Sequence, residues 1–202
     1  MDALTLEVLH EGRDSKQTIA DIKFSPDLTL LALGSIDHCV YFYSTLDNFA
    51  LRFKFPKANG RITHVDFAAD SSALRLNSEA WELLFVSTLD GSQVTTPSSM
   101  KDVEWATQSC VFSWPAQGIW DFSREDEYFY ALTKAHSHEV LVSANNRGEI
   151  QVYNSPCLSK RAEQHVLRGH GMIVSGVAFT CDDSRLVSIG ANDKSLFVWR
   201  VC

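Results

Sequence analysis

The sequence predicts an all-β fold assembled from repeated antiparallel sheets, and three observations predict it. Apolar and polar residues alternate in short runs bounded by Asp, Asn, Gly and Ser, the period of two that marks half-buried strands. Aromatic residues run through the whole chain, with 12 Phe against 3 Met, and aromatic side chains suit pleated surfaces. One outline also recurs at a period of roughly forty to fifty residues. It consists of an alternating strand, an Asp-containing turn, a second apolar strand, a second polar turn and a third strand carrying an aromatic. No segment carries a helical stripe of useful length.

The units follow in order. "IADIKFSPDLTLLALGSIDHCVYFYS" (19–44) and "VSGVAFTCDDSRLVSIGANDKSLFVWRV" (174–201) share the full outline. "ITHVDFAADSSALRLNSEAWELLFVS" (62–87) repeats it more loosely, and "FYALTKAHSHEVLVSANNRGEIQVYN" (129–154) repeats its second half. Tyr43, Phe85, Tyr153 and Trp199 are read as the strand-ending aromatics. Four-stranded units at this spacing are the blades of a β-propeller. The expectation is a single partial propeller over 1–202 of about four WD-repeat blades, each a four-stranded antiparallel sheet. The approximate blades are 11–46, 60–96, 103–157 and 165–202. Residues 88–120 break the rhythm and are expected to be a turn-rich connection followed by outer and inner strands of neighbouring blades. "LTLEVLH" (4–10) reads as an outer strand of a preceding blade. The chain is therefore expected to be the last part of a longer tandem propeller, or a short form of one. Its open strand edges would then favour self-association that completes the ring.

Composition excludes several function classes. The 202 residues carry a net charge of −7 with acids in both halves, so neither a nucleic-acid footprint nor adhesion to anionic lipid is expected. "MDALTLEVLHEGRD" lacks the basic and apolar regions of a signal peptide, and "LTLLALGSI" is too short to span a bilayer. The five cysteines are far apart and form no C-x-x-C pair, which suggests neither a disulfide framework nor a zinc site. A cytoplasmic chain with reduced thiols is the expectation.

The fourth unit supplies the main constellation: Gly169–His170, Ser188, Asp193 and Trp199 match the WD-repeat tetrad. A buried indole N–H needs an acceptor, which the serine hydroxyl supplies, and that hydroxyl donates onward to an imidazole held by the turn carboxylate. A Ser, a His and an Asp also invite a hydrolase reading. No G-x-S-x-G elbow is present, however, and Ser188 lies inside a predicted strand. Neither a Walker loop, nor H-E-x-x-H, nor G-x-G-x-x-G occurs. No catalytic residue, cofactor or metal is expected. His136 and His138 in "AHSHE" lack a third ligand and read as a turn, and Glu125, Asp126 and Glu127 read as a solvated acidic loop. Trp81, Trp105, Trp114 and Trp120 crowd the atypical middle of the sequence. They are candidate packing residues and candidate anchors for a partner.

"VEWATQSCVFSWPAQGIWDFS" (103–123), "VLVSANNRGEIQVYNSPC" (140–157) and the closing "LRGHGMIVSGVAFTCDDSRLVSIGANDKSLFVWR" (167–200) resemble the C-terminal propeller of the echinoderm microtubule-associated protein-like family. The shared features are a W-A-T-x-x-C stretch, G-I-W, a strand leading into P-C, and the G-H…W unit, in that order. The resemblance implies a non-enzymatic interaction module that binds tubulin or other microtubule-associated proteins in the cytoskeleton. A general WD-repeat scaffold or adaptor in a signalling or ubiquitin-ligase complex is the alternative. The receptor form of the latter carries Asp-Arg after the strand-end Trp, where this chain reads "VWRVC".

Overall fold

Strands form where the alternation is strongest, and Asp turns connect them. The structure, a computed structural model, describes residues 4, 5, 7, 8, 10–120 and 126–201. It divides into two compact units, Met1–Ala106 and Thr107–Cys202. The first unit holds sheet I, ordered β1 (Ile19–Phe24), β2 (Leu30–Ser35), β3 (Val40–Ser44) and β4 (Ala50–Phe55). It also holds sheet II, ordered β5 (Ile62–Phe67), β6 (Ala73–Ser78) and β7 (Leu83–Ser87). In the second unit, sheet III joins β8 (Phe129–Lys134), β9 (Val140–Asn145), β10 (Glu149–Asn154) and β11 (Gln164–Arg168). Sheet IV joins β12 (Val174–Phe179), β13 (Arg185–Gly190) and β14 (Leu196–Arg200).

The repeat is legible in the backbone. In all four sheets the register of the first hairpin shifts near the start of its first strand: at Ile19/Asp21, Ile62/His64, Phe129/Ala131 and Val174/Gly176. Three of those hairpins share one turn. Asp27, Asp70 and Asp182 accept the backbone N–H and the hydroxyl of Thr29, Ser72 and Ser184, two residues on. A carboxylate that bonds its own backbone two residues on offers the chain a local substitute for the ladder. The residue after each Asp (Leu28, Ser71, Asp183) sits at positive φ, 59°, 63° and 54°.

Within each unit, one face of the earlier sheet packs on the opposite face of the later one. Leu30, Ala32, Val40, Phe42 and Phe55 of sheet I share a core with Ile62, Val65, Phe67, Leu74, Leu76 and Val86 of sheet II. The approach is close: a Cβ on Gly34 would lie 2.6 Å from Ile62 Cγ2. In the second unit, Ala131, Val142, Ala144 and Ile150 of sheet III pack with Val174 and Leu186 of sheet IV, and Val177, Phe179 and Trp199 join them. Fully burying each large apolar side chain stabilises by about 1.5–3 kcal/mol, so each layer is a main support of its own unit. The hairpin turns are tied as well, by Asp27 N–H to Ser71 Oγ at 3.1 Å and by Ser137 N–H to Asp183 Oδ2 at 2.7 Å.

Some sequence expectations differ from the structure. Sheets II and IV have three strands among the described residues instead of four. After β7 the chain turns at Gly91, makes one bridge from Gln93 to Val86, and meets Pro97, which cannot donate to a ladder. Strand β11, placed by spacing in the fourth unit, is hydrogen-bonded to β10 in sheet III, and β4 extends sheet I past residue 46. Residues 88–120 contribute isolated bridges and two 3-10 helices, Pro97–Met100 and Trp114–Ile119, in place of strands. Leu6 and Leu9 of the expected strand 4–10 lie outside the described residues, and the rest of that segment is turn or irregular.

Candidate functional site

Register puts the fourth unit's polar residues on one face. Ser188 pairs with Phe197, and Trp199 pairs with Leu186, so Ser188 and Trp199 are diagonal neighbours on the side of sheet IV that packs on sheet III. His170 enters from the link between β11 and β12. The Trp199 indole N–H donates to Ser188 Oγ at 2.9 Å, and Ser188 Oγ lies 2.8 Å from His170 Nε2. His170 Nδ1 is 2.9 Å from Ser195 Oγ and 3.4 Å from Asp193 Oδ2. The consistent tautomer has Nδ1 protonated and Nε2 accepting the Ser188 hydroxyl. Asp193 also accepts the N–H of Gly171 at 2.8 Å and of Ser195 at 3.0 Å. Those two N–H groups, then the Ser195 hydroxyl and His170, hold its carboxyl well below the usual carboxylate range. Gly190 leaves the room for this: a Cβ there would lie 2.0 Å from Asp193 Oδ1 and 2.7 Å from His170 Nδ1.

Chemically the arrangement is a satisfied chain, buried at Ser188 and His170. Ser188 is only 1% exposed and its oxygen already accepts the indole, so a substrate has no approach to the hydroxyl. The corresponding positions elsewhere are apolar or rewired. By register, Leu33 and Tyr43 replace Ser188 and Trp199 in sheet I, and Leu76 and Val86 do so in sheet II. The strand-ending position of sheet II is thus Val86, with Phe85 facing the other side. The counterparts in sheet III are Ser143 and Tyr153. There Tyr153 bonds Gln151, whose amide donates to buried Glu127, and Asn145 donates to the same carboxylate. Glu125 lies outside the described residues.

The four tryptophans are divided between the units. Trp81 sits on the β6–β7 turn and is 52% exposed. Trp105 bridges to Ala68 and lies under the Arg75 guanidinium, 4.5 Å from ring centroid to Cζ. In the second unit Trp114 opens a 3-10 helix. Trp120 is buried, donates its indole N–H to Val111 O at 3.0 Å and stacks on Phe112. The "GIW" and "SPC" stretches meet here: Gly118 N–H donates to Cys157 O and Cys157 N–H to Pro115 O, each at 2.8 Å. A Cβ on Gly118 would lie 2.7 Å from Ser159 N. His136 Nδ1 bonds Asp183 at 2.8 Å, while His138 is exposed. Among the described residues no group of three or more His, Cys, Asp or Glu is arranged to hold a metal ion.

Two features were not foreseen from sequence. Arg75, 2% exposed, forks onto Asp66 Oδ2 through Nε at 3.1 Å and Nη2 at 3.0 Å inside sheet II. Asp183 accepts the N–H groups of His136 and Ser137 and the Ser137 hydroxyl. The only sequence signal for the first was a charged pair on two strands predicted to be adjacent.

Repeated antiparallel sheets packed face on face, with a Trp–Ser–His network in one of them, define a portion of a WD-repeat β-propeller. The chain belongs to the echinoderm microtubule-associated protein family: the family model described as its second β-propeller matches residues 1–201. Its curated relatives include echinoderm microtubule-associated protein-like 1 of Mus musculus, 32% identical over 99% of this chain. Others are the mouse protein-like 2, 33% identical over 100%, and the human protein-like 3, 32% identical over 100%. The chain spans 25%, 31% and 23% of the length of these relatives. Among solved structures it is similar to the Myceliophteria thermophila Cps50 (Swd1) β-propeller domain. There the TM-score is 0.65 at 12% identity, covering 93% of this chain and 67% of that one. A chain of a mitotic checkpoint complex matches with a TM-score of 0.53 at 15% identity, covering 94% and 50%. At these identities the structural likeness concerns the fold alone.

Proposed function

We propose that this chain is a non-enzymatic interaction module of a microtubule-associated protein, binding tubulin or cytoskeletal partners in the cytoplasm through sheet faces and loops. The observation that carries the reading is the family match across 1–201, with relatives that are themselves named microtubule-associated. The fold supports it: polar groups of the fourth unit are spent on one another, while apolar side chains stand in water on strands and turns. Exposed Trp81 is the aromatic best placed to anchor a partner. The charge of −7 gives no long-range attraction to an acidic surface, so short-range apolar contact has to carry the binding. Self-association through open sheet faces belongs to the same reading.

Cosedimentation with microtubules, beside gel filtration with unpolymerised tubulin, tests it. The expected result is a tubulin-dependent shift that survives moderate salt, because screening weakens only charge-driven contacts. No change in either assay would favour a general scaffold instead.

A further inference from the structure

The two packed layers within the units follow one rule, and two sheet faces of the same kinds stand open. Register aligns Ser188 of β13 with Leu33 of β2, Leu76 of β6 and Ser143 of β9. By that alignment the face of sheet I bearing Ala32, Val40 and Phe42 corresponds to the face of sheet III bearing Val142, Ala144 and Ile150. Each covers the opposite kind of face on the next sheet. The same two kinds recur unpaired. Sheet IV presents Ile189, Leu196 and Val198, 45%, 62% and 58% exposed, on the covering side. On the receiving side of sheet I the rows Ile22–Leu33–Tyr41 and Phe24–Leu31–Tyr43 run from an exposed edge at Ile22 and Phe24 to buried Tyr41 and Tyr43. Ile22 and Phe24 are 54% and 53% exposed. A groove of about 330 Å³ runs over Phe24, Leu31, Leu33 and Tyr43, walled by residues from His10 to Gln17.

We infer that the covering face of sheet IV in one copy of this chain seats on the receiving face of sheet I in a second copy. The contact joins two different faces, so it runs head to tail. Charge agrees with the register. Arg185 occupies the position held by Leu30 in sheet I and Val140 in sheet III. Leu30 shares a packed cluster with Leu74 and Val86, and Val140 shares one with Leu186 and Trp199. Their counterparts on the receiving face of sheet I are half-buried Leu31 and buried Tyr43. There the Tyr43 hydroxyl donates to the exposed carboxylate of Asp14 at 3.0 Å. Arg185, itself exposed, is therefore brought beside Asp14 of the second copy. Uncovered, Ile22 and Phe24 on the one face and Ile189, Leu196 and Val198 on the other leave apolar surface in water.

This inference rests on the reading of the chain as an interaction module, but it concerns only the chain's own copies. Tubulin binding can fail while it stands, and the reverse. Sedimentation velocity on the purified chain over a concentration series is the test, with Phe24→Asp and Leu196→Asp as variants. Both positions are exposed, and circular dichroism checks that each variant folds. The wild type is expected to associate with concentration, and each variant alone to stay monomeric. An equimolar mixture of the two should regain association, because one intact covering face then meets one intact receiving face. Arg185→Glu should weaken association and be rescued by Asp14→Arg. A monomeric wild type overturns the inference. So does a mixture that stays monomeric, or association that neither aspartate disturbs.

Discussion

Replacing Trp199 with phenylalanine removes one atom group whose role the structure defines. The indole N–H donates to Ser188 Oγ at 2.9 Å, and Ser188 also meets His170 Nε2 at 2.8 Å. Losing a typical intramolecular hydrogen bond costs about 0.5–1.5 kcal/mol, but leaving a buried partner short costs about 1–3 kcal/mol. The second figure governs, since Ser188 is 1% and His170 7% exposed and neither can turn to water. Trp199 is itself only half-buried, which keeps the added packing loss small. The expected loss is about 1–3 kcal/mol, or a melting temperature lower by roughly 2–12 °C for a chain of this size. Thermal unfolding followed by circular dichroism reads it, with Leu89→Ala, 78% exposed on the turn after β7, as a near-silent control. Ser188→Ala should cost a similar amount, and the double variant less than the sum, because both remove the same contact. Equal melting temperatures for Trp199→Phe and wild type would refute a formed network.

Other positions give sharper contrasts. Asp66→Ala removes the carboxylate that pairs with the buried Arg75 guanidinium and should cost about 3–5 kcal/mol in denaturant unfolding, whereas adding Arg75→Met should recover most of it. Gly148 lies at φ 78° with a Cβ position 2.4 Å from His170 O, so Gly148→Ala should cost about 1–3 kcal/mol by the same assay. Acid stability follows from the turn carboxylates. The Thr180 hydroxyl and the Ser184 N–H and hydroxyl lower Asp182 from the usual 3.8 to about 2. Asp183 and Asp193 are lowered further by backbone N–H groups. Since the folded-state values are depressed, their contribution is complete above the ordinary value and is lost as pH falls through the folded one. Stability should therefore fall from just under pH 4 to about pH 2 and below, and Asp182→Asn should flatten that limb.

How much was legible in the sequence depended on whether a residue's role is local. The alternation of β2, β3, β13 and β14 and the Asp turns announced themselves, because period and turn chemistry are written in neighbouring residues. His170, Ser188 and Trp199 were legible as a group only because the repeat supplied their spacing. Phe85 was misplaced by one residue, since an apolar run such as "LLFVS" does not say which side faces the core; pairing of Val86 with Leu74 does. The strands expected in 88–120 failed for a local reason, prolines at 97 and 115, yet its packing is long-range. Gly118 serves a loop some forty residues away, and nothing beside it in the sequence shows that contact. The Asp66–Arg75 pair was missed for a similar reason, because burial of an ion pair depends on what closes over it, here Trp105.

The proposal that these sheets bind a protein partner of the microtubule system stands or falls on one measurement. Hydrogen exchange of the chain, recorded with and without excess soluble tubulin, tests it most directly. With tubulin bound, a contiguous set of amides on one sheet face or its adjoining loops is expected to exchange more slowly. Exchange unchanged at every amide would contradict it.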